Sequence, residues 1–263
     1  MEKIYTIPVN ESFEACMAAA ESDAKANAAL LEAEEKAMEA IRNDDSVKRA
    51  PDTGLSAQHT AECPFCRLYA QLEENELDLI LGASMMEPDV RIKTNAKGFC
   101  RRHLEMMFTR KNRLGMALML ESHLDETRRL VEKGDFKNLD KLEHDCYVCE
   151  RIEYQLSKMI ENAVLLWDED YDFREKLAAQ PYICIPHTRR WLEMAKHMLN
   201  RKKFGQFSEA LLPITLNYYD SLSEDVSWFV KKFDYRYEKE PWGTAKDAVE
   251  RAIPFLRTNA PRN

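Results

Sequence analysis

Eight cysteine and histidine side chains constrain this chain more than any other feature of its sequence. Six of its seven cysteines fall in four short motifs, in each of which two cysteines, or a cysteine and a histidine, are three positions apart. At the start of a helix this spacing lets both side chains approach one point, so each motif predicts half of a four-ligand metal site. In chain order the motifs are Cys63-x-x-Cys66, Cys100-x-x-His103, Cys146-x-x-Cys149 and Cys184-x-x-His187.

The four motifs form an internal repeat. The two CxxC motifs are 83 positions apart and the two CxxH motifs are 84 apart. This register predicts a duplicated unit of about 80 residues, each copy supplying three thiols and one imidazole. We therefore expect one site from Cys63, Cys66, Cys100 and His103, and a second from Cys146, Cys149, Cys184 and His187. An alternative places both CxxC motifs in one site and the CxxH motifs elsewhere.

The ligand types favour zinc, one ion in each of two sites. Three thiolates and an imidazole fill a tetrahedron and leave no open position, as in structural zinc sites. Such a site carries a net charge of −1, which helix N-termini stabilise, and Pro64 suits the first position of a helix. A [4Fe–4S] cluster with the same ligands is the alternative. A redox CxxC pair is disfavoured because no strand–helix unit surrounds it, and it leaves the CxxH motifs unexplained.

The rest of the sequence predicts an all-α protein of about eight or nine helices. Its seven glycines separate long segments rich in Ala, Leu, Met, Glu and Lys, in which apolar residues recur every three or four positions. Residues 86–100 lack this periodicity and predict a loop that carries Cys100. From residue 61 onward, helices are predicted at 64–82, 101–110, 113–133, 147–167, 170–179, 188–201, 204–232 and 244–257.

The N-terminal quarter differs in composition from the remainder. Residues 12–42 predict one Ala-rich helix, and the polar residues 43–60, broken by Pro51 and Gly54, predict a linker. Residues 11–45 hold ten acidic and three basic side chains, so they carry −7 of the chain's net charge of −8. The resulting domain prediction is an N-terminal segment, two metal-binding repeats and a C-terminal helix with its tail, at 1–60, 61–143, 144–240 and 241–263.

Charge and hydropathy limit the partners. No basic stripe of the kind that nucleic acid requires is present, which disfavours nucleic acid. The longest apolar runs span only a few residues, which predicts no membrane span. The N-terminus lacks the pattern of a secretory signal, so we expect a cytoplasmic protein with reduced thiols. Its predicted partner is another protein or a second copy of itself.

Several further residues are candidates for a site. His144 lies two positions before Cys146 and is a possible ligand, although an exposed role is the simpler interpretation. Cys16 has no paired motif and predicts buried packing. Asp89 and Arg91 recur as Asp172 and Arg174, which favours ion pairs that brace each repeat. Asp89 and Arg91, together with Asn95, would line a pocket if the chain were an enzyme with a cleft between its repeats.

Six stretches of the sequence carry a further likeness: "KIYTIPVNESFEA", "ECPFCRL", "MEPDVRIKTNAKGFCRRH", "NRLGMALMLESHLDE", "DCYVCERIEY" and "CIPHTRRWL". Together they resemble a family of unknown function found in clostridial and related bacteria. The resemblance implies a small cytoplasmic protein with paired CPxC and GFCxxH motifs, and it brings no established activity. Residues 16–60 depart from the family pattern, which implies an insertion that is dispensable for folding.

Three functions remain open from the sequence. The first is a binding or scaffold module whose helices are held by structural zinc. The second is an iron–sulfur protein with a redox or enzymatic role. The third is an enzyme with a pocket between the repeats and purely structural metals. Neither a catalytic-triad spacing nor a Gly-rich phosphate loop is present, so the sequence does not decide whether the chain is an enzyme.

Overall fold

A computed structural model describes residues 62–110 and 112–258, and within them the chain is all-α, with ten α-helices and no strand. The predicted fold class is therefore confirmed for this part of the chain. The acidic helix predicted at 12–42, the linker at 43–60 and Cys16 lie outside the described residues. In chain order the α-helices are α1 (Pro64–Leu81), α2 (Pro88–Lys97), α3 (Arg101–Thr109), α4 (Arg113–Lys133), α5 (Phe136–His144), α6 (Tyr147–Glu169), α7 (Tyr171–Ala178), α8 (Ile185–Met198), α9 (Arg201–Lys231) and α10 (Ala248–Leu256).

Two of these helices were not expected. Residues 86–100 are not a loop, because α2 occupies most of them, and α5 occupies a stretch for which no helix was predicted. Proline stands at the first position of α2, and Gly98 ends it with φ of 64°, a conformation that other residues rarely adopt. Asp135 caps α5 by accepting from the Asn138 backbone N–H. Both helices are therefore defined by the residues at their ends rather than by a periodic pattern of apolar residues.

The chain divides into two compact units. Among the described residues, the first unit contains 62–67 and 159–258, and the second contains 68–110 and 112–158. The helices α1 and α6 therefore each contribute residues to both units. The domain prediction, with its boundary between residues 143 and 144, stays a prediction. Within the described residues, no helix combines the length and apolar character that a membrane span needs.

The core of the first unit is aromatic. The Phe65 and Trp191 rings pack edge-on with their centroids 4.9 Å apart, and the centroids of Trp191 and Phe207 are 5.3 Å apart. Phe207 in turn meets Trp167 at 5.0 Å. All four rings are buried, and such edge-to-face pairs add about 0.5–1.5 kcal/mol each beyond area burial. Since Phe65 lies between Cys63 and Cys66, the packing of these four aromatic rings fixes the start of α1.

The core of the second unit is aliphatic and methionine-rich. Leu72, Leu77 and Ile80 of α1 are buried, as are Met107 of α3 and Met119 of α4. The helix α2 packs against α4, and the Arg91 guanidinium donates to the Leu118 carbonyl. Arg174, the counterpart of Arg91, likewise donates to main-chain carbonyls, those of Trp167 and Asp168. The duplicated arginines thus bind the backbone of neighbouring helices.

A buried lysine fastens the segment after α9. Lys232 Nζ donates to the carbonyls of Tyr237, Glu238 and Glu240 at 2.6–2.9 Å, and it lies 5.2 Å from the centre of the Trp242 ring. The substitution Lys232→Met should cost about 2 kcal/mol, because it leaves three carbonyls without their charged donor. Urea unfolding measures this loss. Lys231→Met is the control, since Lys231 is exposed, and equal midpoints for the two variants would contradict the assignment.

Candidate metal centres

All four motifs lie at helix N-termini, in the same local geometry. Each motif begins immediately before its helix and ends at the third helical residue. The backbones of the two CxxH caps are nearly identical, with φ and ψ of −66° and 157° at Cys100 and −65° and 152° at Cys184. The extended first residue and the helical fourth residue turn both side chains toward the same side of the helix start. The helix N-termini also favour the negative charge that thiolates carry.

The first group of donors, here called the outer cluster, joins the start of α1 to the start of α8. It consists of Cys63, Cys66, Cys184 and His187, whose donor atoms all lie within 4.8 Å of one another. His187 Nδ1 is 3.1 Å from Cys184 Sγ, 3.5 Å from Cys66 Sγ and 3.8 Å from Cys63 Sγ. All members except Cys66 are buried.

The second group joins the start of α3 to the start of α6. It is here called the inner cluster because its two motifs lie between those of the outer cluster in the sequence. It consists of Cys100, His103, Cys146 and Cys149, again within 4.8 Å of one another. His103 Nδ1 is nearly equidistant from the sulfurs of Cys100, Cys146 and Cys149, at 3.2, 3.3 and 3.4 Å. Cys100 and Cys149 are partly exposed, so this cluster is closer to solvent than the outer one.

The structure therefore brings together all eight residues that the sequence singled out, but not in the predicted sets. The prediction that each repeat closes its own site is wrong, and so is the alternative that joins the two CxxC motifs. Each cluster takes its CxxC motif from one predicted repeat and its CxxH motif from the other. The assignment of these eight residues as metal ligands stays a prediction.

Helix length gives the physical reason for this crossed pairing. The helix α1 has 18 residues and carries the chain about 27 Å from Cys63 and Cys66, at about 1.5 Å per residue. The helix α2 has only 10 residues, about 15 Å, and is therefore much shorter than α1. In the second repeat, α6 has 23 residues and α7 only 8. A CxxH motif that follows these helices is thus delivered to a different place from its own CxxC motif.

The electrostatics of both clusters favour a cation. Hydrogen bonds with Cys146 and Cys149 hold the pKa of Cys100 well below its usual range, whereas hydrogen bonds with Cys100 and Cys146 raise the pKa of Cys149. Burial opposes a charge on His103, but hydrogen bonds with Cys100, Cys146 and Glu73 outweigh it and raise its pKa to about 11. Without an added positive charge, one thiol of the cluster ionises only because its neighbours stay protonated and donate hydrogen bonds to it. A divalent ion removes this conflict and allows three thiolates.

Two residues that the sequence reasoning missed lie beside the inner cluster. Glu73 of α1 is 5% exposed, and its Oε1 is 3.0 Å from His103 Nε2. Arg102 of α3 binds the same carboxylate. A signal for Glu73 was present, since Tyr69, Glu73 and Glu76 recur at i, i+4 and i+7 on the buried face of α1. Polar residues at such positions indicate partners within the fold.

The other candidates do not join either cluster. His144 is exposed, and its ring hydrogen-bonds the Asp140 carbonyl of its own helix. Asn95 accepts a hydrogen bond from Ser122, which ties α2 to α4. Together with the bond from Arg91 to Leu118, this contact favours a bracing role over a pocket for this face of α2.

Comparison with known proteins decides the family. Residues 55–263 match the model of a family described as "Family of unknown function (DUF6062)". The chain belongs to this family. The DUF6062 match includes all eight motif residues, whereas residues 3–15 lie outside it. Neither the curated proteins nor the solved structures contain a match. DUF6062 membership confirms the resemblance seen in the sequence and assigns no activity.

Proposed function

We propose that this protein binds two zinc ions, one in each cluster, and that the metal-held helices form a binding or scaffold module. The observation that carries the proposal is the convergence of four donors in each cluster, three sulfurs and one imidazole nitrogen, within 4.8 Å. Soft sulfur and imidazole donors are the usual ligands of structural zinc. The α-helices that begin directly after Cys63, Cys100, Cys146 and Cys184 provide the rigid helix starts that hold these donors.

The donor spacing favours one ion over an iron–sulfur cluster. With Zn–S of about 2.3 Å and Zn–N of about 2.0 Å, a tetrahedron has edges of about 3.8 Å between sulfurs and about 3.5 Å between sulfur and nitrogen. The Cys66–Cys184 and Cys100–Cys149 sulfur distances are 3.7 and 3.9 Å. A [4Fe–4S] cluster attaches its four ligands to four different irons, so its donors diverge and lie further apart.

Closed coordination supports a structural role over a catalytic one. Three thiolates and one imidazole complete four-coordinate zinc and leave no position for a substrate or an activated water. Bound zinc would supply folding free energy by holding two helix starts together. The chain's own residues then act by presenting a fixed helical surface. We propose that the partner is a protein, including a second copy of the chain, since no basic stripe suits nucleic acid.

A reducing compartment suits this chemistry. All six cysteines of the two clusters are free thiols, although cysteines of different motifs lie close together in both clusters. Thiolate ligands persist where glutathione and thioredoxin keep thiols reduced. We therefore propose a cytoplasmic location.

Metal analysis of freshly purified protein is the direct test. We expect two zinc ions per chain, no visible chromophore and no acid-labile sulfide when the protein is isolated without oxygen or added metal. A brown protein with several irons per chain would replace zinc with the iron–sulfur alternative. One iron per cluster without sulfide would keep the tetrahedral site and change its ion. A chain that takes up no metal would overturn the proposal.

A further inference from the structure

The orientation of the His103 ring leaves one of its two nitrogens for a partner outside the inner cluster. Nδ1 faces the three sulfurs at 3.2–3.4 Å, so it is the nitrogen that would bind an ion. Nε2 points the other way and lies 3.0 Å from Glu73 Oε1. A carboxylate oxygen only accepts hydrogen bonds, so Nε2 carries a proton, and Nδ1 is the nitrogen that gives up its proton and offers its lone pair when an ion binds. The ring is fully buried, and water is therefore not available to play this role.

Arg102 holds the Glu73 carboxylate that accepts the hydrogen bond from His103 Nε2. Its Nη1 lies 2.6 Å from Glu73 Oε1, and its Nη2 donates to Oε2 at 2.7 Å. This two-point contact orients the carboxylate plane and compensates its buried charge. Glu73, Arg102 and His103 thus form a chain from solvent to the inner cluster, because the Arg102 side chain is 43% exposed.

The second repeat lacks both members of this pair. The position 83 residues after Glu73 is Leu156, which is fully buried, and the position 84 residues after Arg102 is Pro186. The carboxylate and its guanidinium partner are therefore absent together from the corresponding positions. At the outer cluster, the His187 ring instead lies 5.5 Å from the Phe65 ring in a tilted contact. The two clusters have the same ligand set but different surroundings.

We propose that Glu73 is a positioning residue that selects the metal-binding tautomer of His103 and makes the inner metal centre chemically distinct from the outer one. The inference rests on the proposed function, since it presumes that the inner cluster binds an ion. A carboxylate that accepts from a ligand imidazole raises the basicity of the ligand and restricts its rotation. The inner centre consequently binds its ion more tightly than it would with an apolar residue at position 73.

The test uses the full, zinc-loaded chain and three substitutions. Glu73→Leu reproduces the residue of the second repeat and removes the acceptor. Glu73→Gln keeps a carbonyl oxygen in place and should rescue most of the effect. Glu76→Gln is the matched control, because Glu76 is an equally buried glutamate of α1 whose partners are Arg151 and Gln155 rather than a ligand. Competition with a chromophoric zinc chelator and ¹⁵N spectra of the histidine rings are the two measurements.

We expect Glu73→Leu to weaken the binding of one of the two zinc ions by about 10–100-fold. Its ring spectrum should lose the protected Nε2–H signal of His103, while the signals of His187 stay unchanged. Glu73→Gln should retain that signal at a shifted frequency and lose less affinity, because an amide oxygen is a weaker acceptor than a carboxylate, and Glu76→Gln should match the unsubstituted chain. If Glu73→Leu fails to fold, Glu73→Gln still decides, because a role in packing alone predicts an unshifted Nε2–H.

The outcomes separate this inference from the proposed function. An unsubstituted chain that takes up no zinc overturns both. A chain with two zinc ions, in which Glu73→Leu and Glu76→Gln release metal equally readily and the His103 signals do not move, overturns only the role of Glu73.

Discussion

Removal of zinc from the reduced protein is expected to abolish most of its helical structure between residues 62 and 258. Apparent binding free energies of structural zinc reach about 10 kcal/mol or more at neutral pH. That value is comparable to the whole unfolding free energy of a typical domain, about 5–15 kcal/mol. Each ion here would hold two helix starts together, and without it three thiols and an imidazole face one another with no ion between them. Loss of either ion should therefore release the helices that it joins.

Circular dichroism at 222 nm, recorded while a strong chelator and a thiol reductant act, measures this collapse. Added zinc should restore the signal. The same chelator saturated with zinc beforehand is the control for effects unrelated to metal. Full helicity and an unchanged melting temperature, after metal analysis has verified that both ions are gone, would show that the helices need no metal.

Pairs of ligand substitutions are expected to distinguish the crossed pairing from a within-repeat pairing, because the two arrangements predict different numbers of bound zinc ions for each double variant. Cys66 and Cys184 belong to the same cluster, so Cys66→Ser with Cys184→Ser should remove one zinc and leave one. Cys66 and Cys100 belong to different clusters, so Cys66→Ser with Cys100→Ser should remove both. A within-repeat arrangement predicts the opposite result for the two double variants. Native mass spectrometry of zinc-reconstituted protein counts the ions directly.

A second measurement avoids the risk that a double variant fails to fold. Mild oxidation of the unsubstituted protein should link thiols that lie close together. The crossed pairing predicts Cys66–Cys184 and Cys100–Cys149 disulfides, because these sulfur pairs are 3.7 and 3.9 Å apart. Peptide mapping identifies the links. A predominant Cys66–Cys100 link would instead support closure within each repeat.

The identities of the clustered residues were accessible from the sequence because chemistry and spacing are local properties. A CxxC or CxxH motif at a helix start depends on four consecutive residues, and the near-constant offset of 83 or 84 positions draws attention to all four motifs together. The long helices were equally accessible, since α4, α6 and α9 carry sustained apolar periodicity. The short helix α2 was missed because it buries little, and Pro88 and Gly98 define it instead.

The pairing of the motifs was not accessible in the same way. It depends on where α1 and α6 carry the chain, which is a property of tertiary structure. A duplicated pattern predicts that each copy is self-contained, whereas the structure contains the short helix α2 after α1, which the sequence did not predict. Glu73 was missed for a related reason. Its role follows only from the arrangement that places α1 beside the start of α3.

The crossed pairing is also a nested one, and this order has a consequence during protein synthesis. The inner motifs are separated by 43 positions, from His103 to Cys146, and the outer motifs by 118, from Cys66 to Cys184. At about 5–20 residues per second, roughly 2–8 seconds pass between the emergence of Cys149 and that of His187 from the ribosome. A nascent chain can thus bind its inner ion first, before the ribosome has translated Cys184 and His187, which complete the outer cluster. Scarce zinc would leave half-matured chains whose earliest motif is exposed.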